Sequence, residues 1–176
     1  MQRPPFSIAA ALQLAEEALS RPPPLDWIVR PEPRGELVAT FVLPLALCVP
    51  QNQLTRAAMM MGVNAKGKNR GRSWQLGKHK EAVYRMMWGQ HRPRREPLPG
   101  RAFVRAIRFA VHESDPYADW AKAALDVLCV PGPKRKHRLG FIRDDRGSVT
   151  DVRQHWEPAP GRGAEFGLLQ VFSGDS

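Results

Sequence analysis

The stretch RAFVRAIRFAVHESDPYADWAKAALDVLCV, residues 101–130, decides how this chain folds. Its first third alternates Val, Ile and Phe with Ala and Arg. Branched and aromatic side chains fit a pleated, half-buried surface, so 101–111 reads as a strand. The strand runs into Glu113-Ser114-Asp115-Pro116. Proline has a fixed φ that suits the first helical position, where its missing N–H would have no partner anyway, so a helix is predicted over 117–130. On such a helix Asp119, Lys122 and Asp126 are spaced by three and four residues and share one face. Asp115 would lie one turn above Asp119. Ala123, Ala124, Leu125, Leu128 and part of Trp120 face elsewhere, towards a core.

Working outward from this strand and helix, residues 36–43 read as an earlier strand and 74–90 as a helix. In the helix, Leu76, Val83, Met86 and Met87 are spaced for burial, and Lys78, Lys80 and Arg85 remain for the wet side. Residues 149–156 and 165–172 read as a terminal pair of strands joined by the turn-rich 158–163. At the other end Ser7 is placed to cap a helix reaching about Leu19, with Ala10, Leu14, Ala15 and Leu19 on one face. Pro22, Pro23 and Pro24 stop it. The order helix, strand, helix, strand, helix, strand, strand gives an α+β (mixed α/β) domain: a small sheet packed with two or three helices. Residues 1–35 form an extra helical extension with a Pro-rich linker, and 36–176 form the domain itself.

The charge is unevenly distributed. The chain of 176 residues carries +10. Between residues 56 and 108 there are 14 Lys and Arg but only two acids, Glu81 and Glu96, whereas 113–151 holds seven acids, six of them Asp. Such a basic segment favours polyanions. Its centre, Lys66, Lys68, Arg70 and Arg72, is interleaved with Gly67 and Gly71 in a loop that reads as a phosphate contact, with Lys78 on the helix that follows. A loop that is merely solvated is the alternative reading. The two cysteines, Cys48 and Cys129, sit in apolar surroundings and form no metal-type pair. They read as buried free thiols in a reducing compartment, and zinc-finger chemistry is excluded. The apolar stretch 8–19 is interrupted by Gln13, Glu16 and Glu17, which argues against a signal peptide or a membrane span and for a cytoplasmic protein. The five histidines show no ligand spacing and read as structural or surface residues. Trp74 and Trp88 read as core.

Asp144 and Asp145 follow Gly140-Phe141-Ile142-Arg143 and would sit at a turn into the next strand. If that turn meets the head of the 117–130 helix, several carboxylates converge. Carboxylates at close range require neutralisation, and Mg2+ or Mn2+ takes oxygen ligands. A metal there would orient and activate water on a phosphodiester, with Lys122 stabilising the developing charge. Each element also has a plainer reading: Asp115 as a helix cap, Lys122 and Asp126 as an ordinary surface pair, Asp144-Asp145 as a turn.

The segment Asp115-Pro-Tyr-Ala-Asp-Trp-Ala-Lys-Ala-Ala-Leu-Asp-Val-Leu128 resembles the acidic helix motif of RusA-like Holliday junction resolvases. Gly140-Phe-Ile-Arg-Asp-Asp145 resembles that family's second motif, and Phe41-Val-Leu-Pro with Gln51-Asn52 its first strand and exit. The resemblance covers roughly 36–172. It implies metal-binding acids at Asp115, Asp119 and Asp145, with Asp144 beside them, and a catalytic lysine at Lys122. It further implies a homodimer that nicks opposing strands of a four-way DNA junction. The chain departs from the family in having three residues rather than one between the first two acids. Trp120 follows the second acid where Asn is usual, and the gap to the lysine is three rather than four. The rival expectations are a DNA- or RNA-binding protein without catalysis and a basic assembly protein that meets an acidic partner.

Overall fold

The computed structural model describes residues 6–22, 30, 32–50, 53, 70–112, 119–133, 136–147 and 149–174; of residues 70–75 it describes the backbone only. The described residues form an α+β fold. In chain order come α1 (Ile8–Ser20), β1 (Glu36–Pro44), a 3-10 turn (Leu45–Leu47), α2 (Arg70–Trp88), β2 (Ala102–Ala110), α3 (Lys122–Leu128), β3 (Thr150–Pro158) and β4 (Phe166–Ser173). The four strands form one sheet in the order β1-β4-β2-β3. β4 is antiparallel to both neighbours, with Thr40 opposite Gln170 on one side and Val104 opposite Val171 on the other. β2 and β3 are parallel, Val104 opposite Val152. Parallel neighbours require a crossover, and α3 with the segment after it supplies one.

This order corrects the expectation of a terminal strand pair. β3 and β4 are separated by β2, for a reason visible in their side chains. β4 is buried along nearly its whole length, as a central strand must be, whereas β3 carries Asp151, Arg153 and Gln154 and is only partly buried. A strand with polar residues along it belongs at an edge, where charge also discourages further strand pairing.

The two faces of the sheet have different covers. Ala39, Phe41, Leu43, Val104, Ala106, Leu169 and Val171 meet α2, α3 and the 139–142 segment in the larger core. Val42, Ile107, Phe109, Phe166 and Leu168 lie on the opposite face, under α1. Ser7 caps α1 as its sequence predicts, its hydroxyl accepting a hydrogen bond from Ala10 N at 3.3 Å. The buried face of α1 is Ala11 and Ala15, flanked by Ile8, Leu14, Ala18 and Leu19, whereas Ala10 is exposed. The N-terminal extension therefore packs on the domain.

Three further expectations are corrected. α2 begins at Arg70, so Arg70 and Arg72 belong to its first turn rather than to a loop. Trp88 is 53% exposed and is not core. The third helix spans Lys122–Leu128 rather than 117–130, and Asp119 and Trp120 are not helical. Here the Trp120 indole is the cause: it is buried over Gly167, where a Cβ would come within 2.7 Å of the ring and also collide with Cys48 Sγ. Both cysteines are buried free thiols, and burial pushes Cys48 up to about 12, against the opposing charge of Arg108. No helix among the described residues is long and apolar enough to cross a membrane.

Candidate active site

The site is assembled by α2, α3 and the chain leading into β3. The segment 139–142 docks on the end of α3: Leu139 N donates to Val127 O (2.7 Å), Phe141 N to Leu128 O (2.8 Å) and Gly140 N to Cys129 O (3.0 Å). These bonds satisfy carbonyls that a helix end leaves without partners. On its other side, Arg94 N donates to Leu139 O (2.7 Å) and Leu98 N to Phe141 O (2.9 Å). Gly140 has φ +73°, and a Cβ there would lie 2.7 Å from Arg94 O. Only glycine both adopts that backbone conformation and fits. The next residues, Asp144 and Asp145, are thereby fixed beside α3. Thr150 Oγ1 donates to Asp144 O (2.6 Å), and Asp145 N donates to Asp144 Oδ1 (2.8 Å).

The outcome is a chain of alternating charge. Lys122 Nζ donates to Asp126 Oδ1 at 3.1 Å, one turn along α3, and also to Asp145 Oδ2. Lys80 Nζ, from α2, donates to the other oxygen of Asp126. The lysine side chains are the outer members, 38% exposed for Lys80 and 33% for Lys122, and the acids the inner ones, 14% for Asp126 and 19% for Asp145. Burial alone would raise Asp145, but hydrogen bonds and charge from Lys122 and the bond to Asp144 outweigh it and hold the carboxyl below its ordinary value. For Lys122 burial acts downward, and Asp145 and Asp126 together hold it above the usual lysine value. Both residues are therefore charged at neutral pH.

Asp119 stands apart from this chain. Its Oδ1 accepts a hydrogen bond from Gln154 Nε2 at 3.3 Å, part-way along β3, and it lines a small cleft with Val49, Leu76, His79, Lys80, Lys122 and Ala123. Asp115, Lys66 and Lys68 lie outside the described residues, as do the side chains of Arg70 and Arg72. Lys78 is exposed on α2. The expected convergence is thus met in part: the Asp145 corner and Lys122 are in contact, and Asp119 lines the same cleft as Lys122.

Among the described residues, the donor atoms that lie within 4.8 Å of one another and could hold a metal come from Cys129, Asp144 and Asp145. Burial raises the Cys129 thiol, so it stays protonated; a soft, neutral sulfur suits Mg2+ poorly. The adjacent carboxylates are the hard donors that Mg2+ or Mn2+ prefers, and the ammonium of Lys122 against Asp145 marks that carboxylate as a seat for positive charge. The acid pair therefore fits a hard cation, and the thiol does not.

Two cleft residues escaped the sequence reading. Lys80 pairs with Asp126 on α3 while staying partly exposed to water. His79 is held below its ordinary value by burial, with a hydrogen bond to the backbone of Leu47 acting the other way. Its Nε2 is buried with no hydrogen-bond partner, so the donating nitrogen is Nδ1 and Nε2 carries the lone pair. Basic residues at i and i+1 give no periodic signal, because adjacent helix positions point in different directions.

Comparisons with family models, with curated proteins and with solved structures gave no match.

Proposed function

We propose that this protein is a divalent-metal-dependent endonuclease of the RusA-like type, hydrolysing phosphodiesters in branched DNA. The observation that carries this reading is the contact of Lys122 with both Asp126 and Asp145, which joins the two acidic motifs on which the family resemblance rests. Asp144 and Asp145 would hold the cation, Mg2+ or Mn2+, with Asp119 and Asp115 as the further acids. When bound, the metal supplies activation of water and neutralisation of phosphate charge.

The remaining work belongs to the chain. In hydrolysis an oxygen of water bonds to phosphorus, one P–O ester bond breaks, and the departing oxygen takes a proton. Negative charge grows on the phosphoryl oxygens, and a fixed ammonium aimed at them lowers that barrier. Lys122 is that ammonium, and Asp126 holds it in direction. The basic segment, with Lys66, Lys68, Arg70, Arg72 and Lys78, grips the DNA arms by phosphate contacts that fix position without reading sequence. Opposed nicks in a four-way junction require two such sites, hence a homodimer, acting in the cytoplasm.

The bond between Gln154 and Asp119 supports a second reading, a protein of the same fold that binds nucleic acid without cutting it. A nicking assay on a synthetic four-way junction with Mn2+ separates the two. Cleavage by the wild type that Asp145→Asn abolishes supports the nuclease; tight binding with no cleavage in any divalent metal supports the binding protein. Absence of binding to any nucleic acid at low salt sinks both.

A further inference from the structure

We infer that Lys80 and Lys122 form a two-ammonium clamp for one DNA phosphate, seated on the shared carboxylate of Asp126; this rests on the nuclease reading and specifies how its site holds the substrate. The geometry is specific. Asp126 presents one oxygen to each lysine, Oδ2 to Lys80 and Oδ1 to Lys122. The carboxylate therefore acts as a spacer that brings together two ammoniums from different helices, which would otherwise repel. Both lysine side chains are about one-third exposed, line the same cleft and lie outside the acid that joins them.

Charge arithmetic then gives the group its preference. In the structure Lys122 is shared between Asp126 and Asp145. Once Asp145 turns to a metal ion, Lys122 and Lys80 have only Asp126 between them. Two formal positive charges against one negative leave a net +1 on this trio, with Asp119, which lines the same cleft, counted among the metal acids of that reading. That is a seat for a singly charged phosphodiester, placed beside the acids that would carry the metal. Two positions earlier on α2, and about half a turn round the helix, Lys78 is exposed, whereas Lys80 lines the cleft. Lys80 thus contacts substrate, in addition to restraining Asp126.

The test measures affinity for a synthetic four-way DNA junction in Ca2+, across a NaCl series, for wild type, Lys80→Met and the double variant Lys80→Met with Asp126→Asn. Removing one lysine–phosphate pairing lowers the log–log salt slope by about 0.9. The clamp predicts that reduction in both variants. In the double variant one positive and one negative charge have gone together, so a lysine that served only to neutralise Asp126 would return the wild-type slope and affinity. That return overturns the clamp. A second measurement needs no substitution: acetylation of lysines in the wild-type protein, followed by mass spectrometry. Saturating junction should protect both Lys80 and Lys122, and unaltered reactivity of Lys80 overturns the proposal even if a variant fails to fold. Wild-type protein that does not bind the junction at low salt removes the nuclease reading and the clamp with it. Wild-type nicking with an unchanged Lys80→Met slope removes the clamp alone.

Discussion

Trp120 organises the site although it carries no chemistry. The indole fills a slot made by Gly167 and Cys48, and in doing so fixes Asp119 on one side and Lys122 on the other. Trp120→Ala should cost about 3–5 kcal/mol in denaturant unfolding, as expected for removing a large buried aromatic, and should weaken nicking beyond what the stability loss explains. Lys122→Ala is expected to reduce nicking by about 100- to 1,000-fold, the range for losing one charge-stabilising donor, with the circular dichroism spectrum unchanged; wild-type rates in this variant would remove Lys122 from the chemistry. At this scale the sequence was informative wherever spacing carries information. Asp126 lies four residues after Lys122 and pairs with it as the helix period demands. The role of Lys80 was hidden because its partner is 46 residues away, and no local pattern encodes a pairing of that kind.

At the scale of elements, existence and type were legible. Each of the four strands was readable from branched and aromatic runs, and α1 from its serine cap. Boundaries and partners were less so. The 117–130 helix is shortened at its start because one tertiary interaction, the burial of Trp120, outweighs the local preference for a Pro-initiated helix. The pairing of the last two strands was hidden because a turn-rich link fits a hairpin and an excursion around a central strand equally well. The difference lies in how apolar each strand is on both faces, as the contrast of Phe166, Leu168 and Leu169 with Asp151 and Arg153 makes plain. The element that delivers Asp144 and Asp145 is the 139–142 segment, and its weak point is Gly140. Gly140→Ala forces a positive φ and a backbone collision, a strain of about 1–3 kcal/mol. The expected result is a lower denaturation midpoint together with weakened Mn2+ affinity, measured by calorimetry on the folded protein; a variant with undiminished stability would contradict this role for the segment.

For the whole molecule, the groups of shifted acidity that titrate below neutrality point one way. Glu157 on β3 is raised by burial but held below its ordinary value overall by His155 and Arg30, and Asp145 is likewise depressed. A carboxylate whose folded pKa is depressed contributes stability above its unfolded value, and that contribution is lost as pH falls through the folded one. His79, also depressed, binds protons more readily when unfolded, so its contribution is complete above the ordinary histidine value and fades below it. Stability should therefore fall in two stages on acidification, the first around pH 6 from His79 and the second below about pH 4 from the carboxylates. Thermal melts of the wild type and of Glu157→Gln, followed across that range, check it: the variant should be less stable at neutral pH and lose less on acidification.

The order of the sheet also bears on how the molecule comes into being. Among the described residues β1 has a single neighbour, β4, and their register ties Glu36 to Ser173. During synthesis, more than a hundred residues must leave the ribosome before the first strand finds its mate. Until then its apolar side chains have no sheet to join, and pairings that span so much chain form slowly. The helical pair that carries the lysines can dock earlier, but the sheet beneath it closes last. A stalled or clipped polypeptide ending before β4 would expose β1 and β2 as unmatched, aggregation-prone edges, open to chaperones or proteases.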